Sequence, residues 1–219
     1  SSFAAGLGVN PKTIETVDML TGTDSFDSIT DGADAVLVGG SGDFSVTSDL
    51  PWLPNFFTVL RDLAHNGFPT FASCFGFQGM VIALGGKVET DKDNMEVGSL
   101  VVEKLTEVEE DLLFGKLPAS FVCQQGHVDR AIELPDCVEL LARSKQCPFQ
   151  AIKVKGVPVY ATQFHPELTG DENKRRFLQY FDHYLKTMGK KEAEHILSSF
   201  KESIESSYLL ARFKNLIVE

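Results

Sequence analysis

The stretch that most constrains what this chain can fold into is Phe71-Ala72-Ser73-Cys74-Phe75-Gly76-Phe77-Gln78-Gly79, continued by Met80-Val81-Ile82-Ala83-Leu84-Gly85-Gly86. It predicts a short buried strand, a one-residue corner at Cys74, and an apolar helix that stops at a glycine pair. Small residues flank the corner, Ala72 two positions before the cysteine and Gly76 two after it. A strand turns sharply into a helix only where nothing bulky crowds the corner, and the strained turn lifts the apical side chain above the sheet. A cysteine so placed also sits at a helix N-terminus, where free N–H groups and the positive dipole end favour a thiolate. The stretch alone is equally compatible with a buried structural cysteine.

The rest of the chain supplies the frame. Its 219 residues suit one domain of α/β size with a substantial core, here taken as residues 1–219. A formal net charge of −11 argues against a nucleic-acid footprint and against an anionic membrane surface. No apolar run approaches the roughly 20 residues that span a bilayer, and no basic-then-apolar leader opens the chain. Cys74, Cys123, Cys137 and Cys147 are widely spaced, without Cys-x-x-Cys or a histidine at ligand spacing. Neither a metal site nor a disulfide framework is expected, which points to a reducing, cytoplasmic setting. Cys123, Cys137 and Cys147 are read as packing thiols.

In chain order, residues 1–10 resemble the end of a helix, and Lys12 to Leu20 alternates enough for an outer strand. Ala33 to Val38 reads as a buried parallel strand running into the Gly39-Gly40-Ser41-Gly42 turn. Leu53 to Asn66 has helical periodicity and stops before Gly67. After the elbow come expected strands at 98–104, 119–124, 138–143, 150–154 and 157–164, with an acidic, solvated loop around Glu107 to Asp111. A helix is expected from Asn173 to Met188, marked by Phe177, Tyr180, Phe181, Tyr184 and Leu185. Residues 190–219 add a helical extension and tail whose apolar face is expected to cover its own fold. His65, His183 and His195 fall in helical patterns and read as surface residues. Early alternation of strand and helix followed by a block of strands predicts an α/β fold in three layers. Its sheet is mostly parallel, with flanking helices and an antiparallel extension.

His165-Pro166-Glu167 follows the apolar strand Val159 to Phe164. Catalytic groups in α/β sheets gather at strand carboxyl ends, so this histidine is expected at the edge that carries Cys74. A thiol nucleophile needs an adjacent base, and the base needs a third group to hold its ring; Glu167, past a rigid proline, can supply it. Cys74-Phe75-Gly76-Phe77-Gln78, the Gly39-Gly40-Ser41 turn and Gln163-Phe164-His165-Pro166-Glu167 together resemble the three signatures of class I, triad-type glutamine amidotransferases. Asp49 to Leu53, Glu96-Val97-Gly98 and Gly126-His127-Val128-Asp129 further resemble the branch related to the glutaminase domain of GMP synthase. The resemblance covers about residues 33–185.

That resemblance implies a flavodoxin-like architecture and hydrolysis of the side-chain amide of L-glutamine through a γ-glutamyl-cysteine thioester. It implies Cys74 as nucleophile, His165 as base and then acid, and Glu167 as the orienting carboxylate. Backbone N–H groups of Gly40 and Phe75 would form the oxyanion hole. Gln78 would contact the substrate, and Gly126, His127 and Val128 would hold its amino-acid end. A surface loop histidine remains open for His127, and an acidic loop residue for Glu96. No cofactor is implied. The released ammonia would pass to an acceptor held by a separate synthetase subunit. The same triad would serve a stand-alone hydrolase of γ-glutamyl peptides, and a non-catalytic redox sensor on Cys74 is a different class of reading. Ala72 replaces the family's usual elbow glycine, with little loss expected. Gly42-Asp43 stands where relatives often carry proline, so the oxyanion loop is expected to be shaped differently. The family's first strand is not visible before residue 10, and its omission from this sequence is the expectation.

Overall fold

The computed structural model describes residues 2–218; Ser1 and Glu219, at the ends of the expected leading helix and trailing tail, lie outside the described residues. The helices are α1 (Ser2–Leu7), α2 (Phe26–Thr30), α3 (Leu53–His65), α4 (Phe75–Ala83), α5 (Gly170–Gln179), α6 (Phe181–Met188), α7 (Lys190–Ser199) and α8 (Ile204–Val218). The strands are β1 (Val36–Val38), β2 (Thr70–Ser73), β3 (Lys87–Thr90), β4 (Glu96–Lys104), β5 (Ser120–His127), β6 (Asp129–Glu133), β7 (Val138–Arg143), β8 (Ala151–Val154) and β9 (Val159–Thr162). The main sheet runs β1-β2-β9-β8-β7-β4-β5, and β3 pairs with β6 in a small second sheet. β1, β2 and β9 are parallel, while β8, β7, β4 and β5 form the antiparallel extension.

Period-two alternation along β2 and β9 divides the core. Ala72, Val159 and Ala161 point into a cluster roofed by α3 and α4. Phe71 and Tyr160 point the other way, into a cluster closed by α8 and the loop around Leu113 and Phe114. The sheet is thus the middle of three layers. α3 buries Leu53, Phe56, Val59, Leu60, Leu63 and Ala64 at helical spacing, then terminates where Asn66 Nδ2 donates to Asp62 O at 2.8 Å and Gly67 takes φ 64°. α4 is apolar apart from Gln78 and is buried from Phe75 to Val81.

The sheet also curls. β5 is an edge strand and β9 lies in the interior, yet His165 N, just past β9, donates to Gln124 O of β5 at 2.9 Å. Asn173 of α5 fastens the same edge, its Nδ2 donating to Gln125 O at 3.1 Å and Gln124 Oε1 at 3.2 Å. This curl carries Gly126 and His127 round to the end of β2, where Cys74 sits.

Three expectations are corrected. Lys12 to Leu20 is not a strand: Asn10 and Asp18 accept from Lys12 N and Leu20 N at 3.0 Å each, capping two single 3₁₀ turns instead of leaving the backbone for a sheet. The helix expected from Asn173 to Met188 starts earlier and breaks at Tyr180 (φ −106°, ψ 17°). Its start is a Thr169/Glu172 capping box: Thr169 N donates to Glu172 Oε2 at 2.9 Å and Glu172 N donates to Thr169 Oγ1 at 3.1 Å. Across an unbroken helix Phe177 and Tyr184 would stand about 10 Å apart; the break lets their rings stack at 4.5 Å. Residues 190 onward form two helices, not one and a tail, and α8 buries Leu209, Leu210 and Phe213 against its own sheet as expected.

Candidate active site

Cys74 has φ 52° and ψ −102°, and among the described residues no other non-glycine has positive φ. A residue held there costs on the order of 1–3 kcal/mol, which surrounding structure must offset. Cys74 N donates to Thr162 O at 2.8 Å, continuing the β2–β9 ladder up to the corner. Gly76 explains itself: a Cβ there would lie 2.8 Å from Val38 O and Val38 Cγ1, so only glycine lets α4 leave the corner beside β1. Ala72 is fully buried in the α3–α4 cluster.

The structure brings His165 and Glu167 to this corner. His165 Nδ1 lies 2.6 Å from Glu167 Oε1, and the Cys74 sulfur faces the ring. Ser73 Oγ donates to the same Glu167 oxygen at 3.2 Å, while Glu167 Oε2 is buried without a partner. Burial alone would push the His165 pKa down. The Glu167 carboxylate and the facing Cys74 sulfur outweigh it and raise the ring to about 10. Gly40 closes the corner from above: a Cβ on it would lie 2.6 Å from His165 Cε1 and 3.3 Å from Cys74 Cβ. Phe75 is the first residue of α4, so its N–H has no intrahelical acceptor and is free for an oxyanion. A thiol, a base held by a carboxylate and two candidate backbone donors can together attack and resolve a carboxamide.

These residues open onto a cavity of about 550 Å³ whose lining includes Gly40, Cys74, Gln78, Gly126, His127, Val128 and His165. Gln78 is buried, its amide donating to Asp129 O at 2.8 Å and to Gln163 Oε1 at 3.3 Å. His127 is no surface loop residue. It ends β5, is buried, and sets Nδ1 3.0 Å from Asp129 O and Nε2 3.0 Å from Glu96 Oε2. Glu96 is likewise buried at the start of β4, accepting from Ser144 Oγ at 2.6 Å and Gln150 Nε2 at 2.5 Å. Spacing in the sequence hides this network because its members come from three separate strands and the loop after β7.

Glu96, His127 and Cys147 bring three potential ligand atoms within 4.8 Å of one another, a grouping sequence spacing did not suggest. Its donors are already engaged in hydrogen bonds, and burial pushes the Cys147 thiol up to about 12, away from the thiolate a metal needs. It is a hydrogen-bond scaffold behind the cavity wall. Cys123 is buried as expected of a packing thiol, but Cys137 is exposed. Asp111 departs from the solvated-loop reading: it accepts from Phe114 N at 2.8 Å, Tyr160 Oη at 3.1 Å and Lys153 Nζ at 3.1 Å.

Sequence reasoning missed the outer cavity wall, which includes Asp43, Ser45, Asp129, Arg176, Tyr180, His183 and Tyr184. His183 therefore faces the site from the helix surface. The signal for Asp129 was present in Gly126-His127-Val128-Asp129; the α6 residues carried none, because the break at Tyr180 turns them inward.

A thiol elbow, a histidine–carboxylate pair after the neighbouring parallel strand, and a glycine turn against both thus meet at one edge of an α/β sheet. The family profile described as Glutamine amidotransferase class-I matches residues 10–184, and the chain belongs to that family. Within it, the chain is similar to GMP synthase [glutamine-hydrolyzing] of Thermosipho melanesiensis, 33% identical over 147 residues, 67% of this chain and 26% of that protein. It is also 33% identical over 123 residues to one subunit of the GMP synthase [glutamine-hydrolyzing] of Pyrococcus abyssi, 56% of this chain and 63% of that one. The match thus spans about a quarter of the first relative and under two thirds of the second. A glutamine amidotransferase from Thermotoga maritima shares the fold, with TM-score 0.72 and 22% identity over 87% of this chain and 80% of that one. No described helix is long and apolar enough to cross a membrane.

Proposed function

We propose that this chain hydrolyses the side-chain amide of L-glutamine. The observation that carries the reading is the Cys74–His165–Glu167 arrangement, with His165 Nδ1 2.6 Å from Glu167 Oε1 and the Cys74 sulfur facing the ring. His165 takes the Cys74 thiol proton as Sγ attacks the amide carbon, then delivers it to the leaving nitrogen, so the C–N bond breaks and ammonia departs. A water, deprotonated by His165, then cleaves the γ-glutamyl thioester to glutamate and restores the thiol. The Gly40 and Phe75 N–H groups receive the oxyanion in both steps. Gln78 and the Gly126–Val128 backbone hold the amino-acid end. The ammonia serves an acceptor on a separate synthetase subunit, in keeping with the names of the relatives. A redox sensor would need no histidine–carboxylate pair behind its thiol.

A second donor class is favoured by the cavity. At about 550 Å³ it falls within the range that houses drug-sized ligands, more room than free glutamine requires, and its outer wall carries the exposed Arg176, Tyr180 and His183. A γ-glutamyl peptide would place its leaving amino acid there. Glutamate release from L-glutamine and from a γ-glutamyl peptide, measured in parallel, decides between them. Release must vanish in Cys74→Ala; persistence of either activity in that variant would sink the reading.

A further inference from the structure

The glycine turn after β1 must hold Gly40 against Cys74 and His165, yet little in its own backbone does so. Residues 39–47 are neither helix nor strand, and Asp43 and Phe44 are exposed. Their local support is a serine turn, Ser41 Oγ accepting from Phe44 N at 3.1 Å and from Asp43 N at 3.3 Å. Residues 39–47 contain no proline, so no ring fixes φ anywhere in the loop.

Val46 buries in the core and the Phe44 ring lies 5.4 Å from Trp52, and the charged anchor between them is Asp129. Its carboxylate accepts a hydrogen bond from Ser45 Oγ through Oδ2 and another from Thr90 Oγ1 through Oδ1 at 2.6 Å. Thr90 ends β3 and Asp129 opens β6, so the carboxylate is clamped by the small second sheet before it reaches the loop. The backbone carbonyl of Asp129 accepts from Gln78 Nε2 at 2.8 Å and faces His127 Nδ1 at 3.0 Å. One residue therefore meets the oxyanion loop through its side chain and the substrate-facing wall through its main chain. Charge-assisted hydrogen bonds of this kind are roughly twice as strong as neutral ones.

We propose that Asp129 is the positioning residue of the oxyanion loop: by gripping Ser45 it holds Gly40 over Cys74 and His165, and so sets the turnover rate through the loop. The proposal deepens the amidohydrolase reading and rests on it for its kinetic arm. Because the Gln78 and His127 contacts run through the Asp129 carbonyl, they survive side-chain changes, and the effect falls on kcat and not on KM.

The test uses Ser45→Ala, Ser45→Thr and Asp129→Asn in the full chain, with steady-state glutamate release and amide hydrogen exchange of residues 40–46. Expected is a tenfold or greater fall in kcat for Ser45→Ala and Asp129→Asn, with KM changed less than twofold, and recovery to at least half the wild-type kcat in Ser45→Thr. Exchange across 40–46 accelerates at least tenfold in Ser45→Ala and not in Ser45→Thr. Ser45→Ala with wild-type kcat and wild-type exchange overturns the proposal, as does an equal loss in Ser45→Thr. Exchange is also read in a Cys74→Ala background, so a chain that hydrolyses nothing defeats the functional reading while the latch is still decided. Should Asp129→Asn fail to fold through loss of Thr90, the two Ser45 variants alone decide the matter.

Discussion

At the scale of single residues, the His165–Glu167 contact governs how the site responds to pH. The ring is buried, which disfavours its charged form, and it stays protonated because the Glu167 carboxylate and the Cys74 sulfur face it, raising its pKa to about 10. Its folded pKa thus lies above the free-histidine value of about 6.5. The stability this contributes is complete below that value and is lost as pH rises through about 10. Removing the carboxylate charge removes the largest raising influence. Glu167→Gln is therefore expected to move the alkaline limb of the pH–rate profile downward and to lower kcat by roughly two to four orders of magnitude, the usual worth of general acid–base assistance. An unmoved alkaline limb in that variant would show that His165 is not the group whose proton limits turnover. The pair was legible in His165-Pro166-Glu167, since a proline between two polar residues after an apolar run fixes their relative reach. The network around Glu96 and His127 was not. Its partners Ser144 and Gln150 lie tens of residues away, and only the sheet brings them together.

At the scale of elements, the strand–corner–helix unit of β2 and α4 depends on the space its glycine leaves. A Cβ on Gly76 meets backbone as well as side chain of Val38, neither of which can swing aside. Gly76→Ala is expected to destabilise the protein by about 1–3 kcal/mol, the range for overpacking a close contact, and to displace Cys74 from His165. Urea unfolding gives the first quantity and glutamate release the second; a variant with unchanged midpoint and activity would remove Gly76 from the account of the elbow. This element was plain in the sequence because a buried strand, a small-residue corner and a mostly apolar helix coincide within a few residues. The α5–α6 segment was only half plain. Its start was placed at Asn173 although Thr169 and Glu172 carry capping-box spacing, and the interruption at Tyr180, which lets Phe177 and Tyr184 stack, has no signal in local propensity.

Across the whole molecule, the C-terminal α8 closes the layer opposite α3 and α4. Phe213 is fully buried, with its ring 5.5 Å from Phe71 and 6.5 Å from Tyr160, directly behind the strands that carry Cys74 and precede His165. Phe213→Ala is expected to cost about 3–5 kcal/mol through lost burial and the cavity left behind, read as a lower denaturation midpoint. A loss under about 1 kcal/mol would mean that α8 is peripheral. What the sequence determined by itself is whatever is local: the elbow, the glycine turn, the histidine–carboxylate pair, the alternation of faces along β2 and β9. Each rests on backbone preferences and side-chain periodicity within a dozen residues. What the tertiary structure decided is how far-separated segments meet. The curl that bonds His165 N to Gln124 O, the burial of Glu96 beside His127, and the hydrogen bond of Ser45 to Asp129 all join groups far apart in the chain. Their energies depend on desolvation and on geometry set by the whole sheet, quantities that no short stretch of sequence contains.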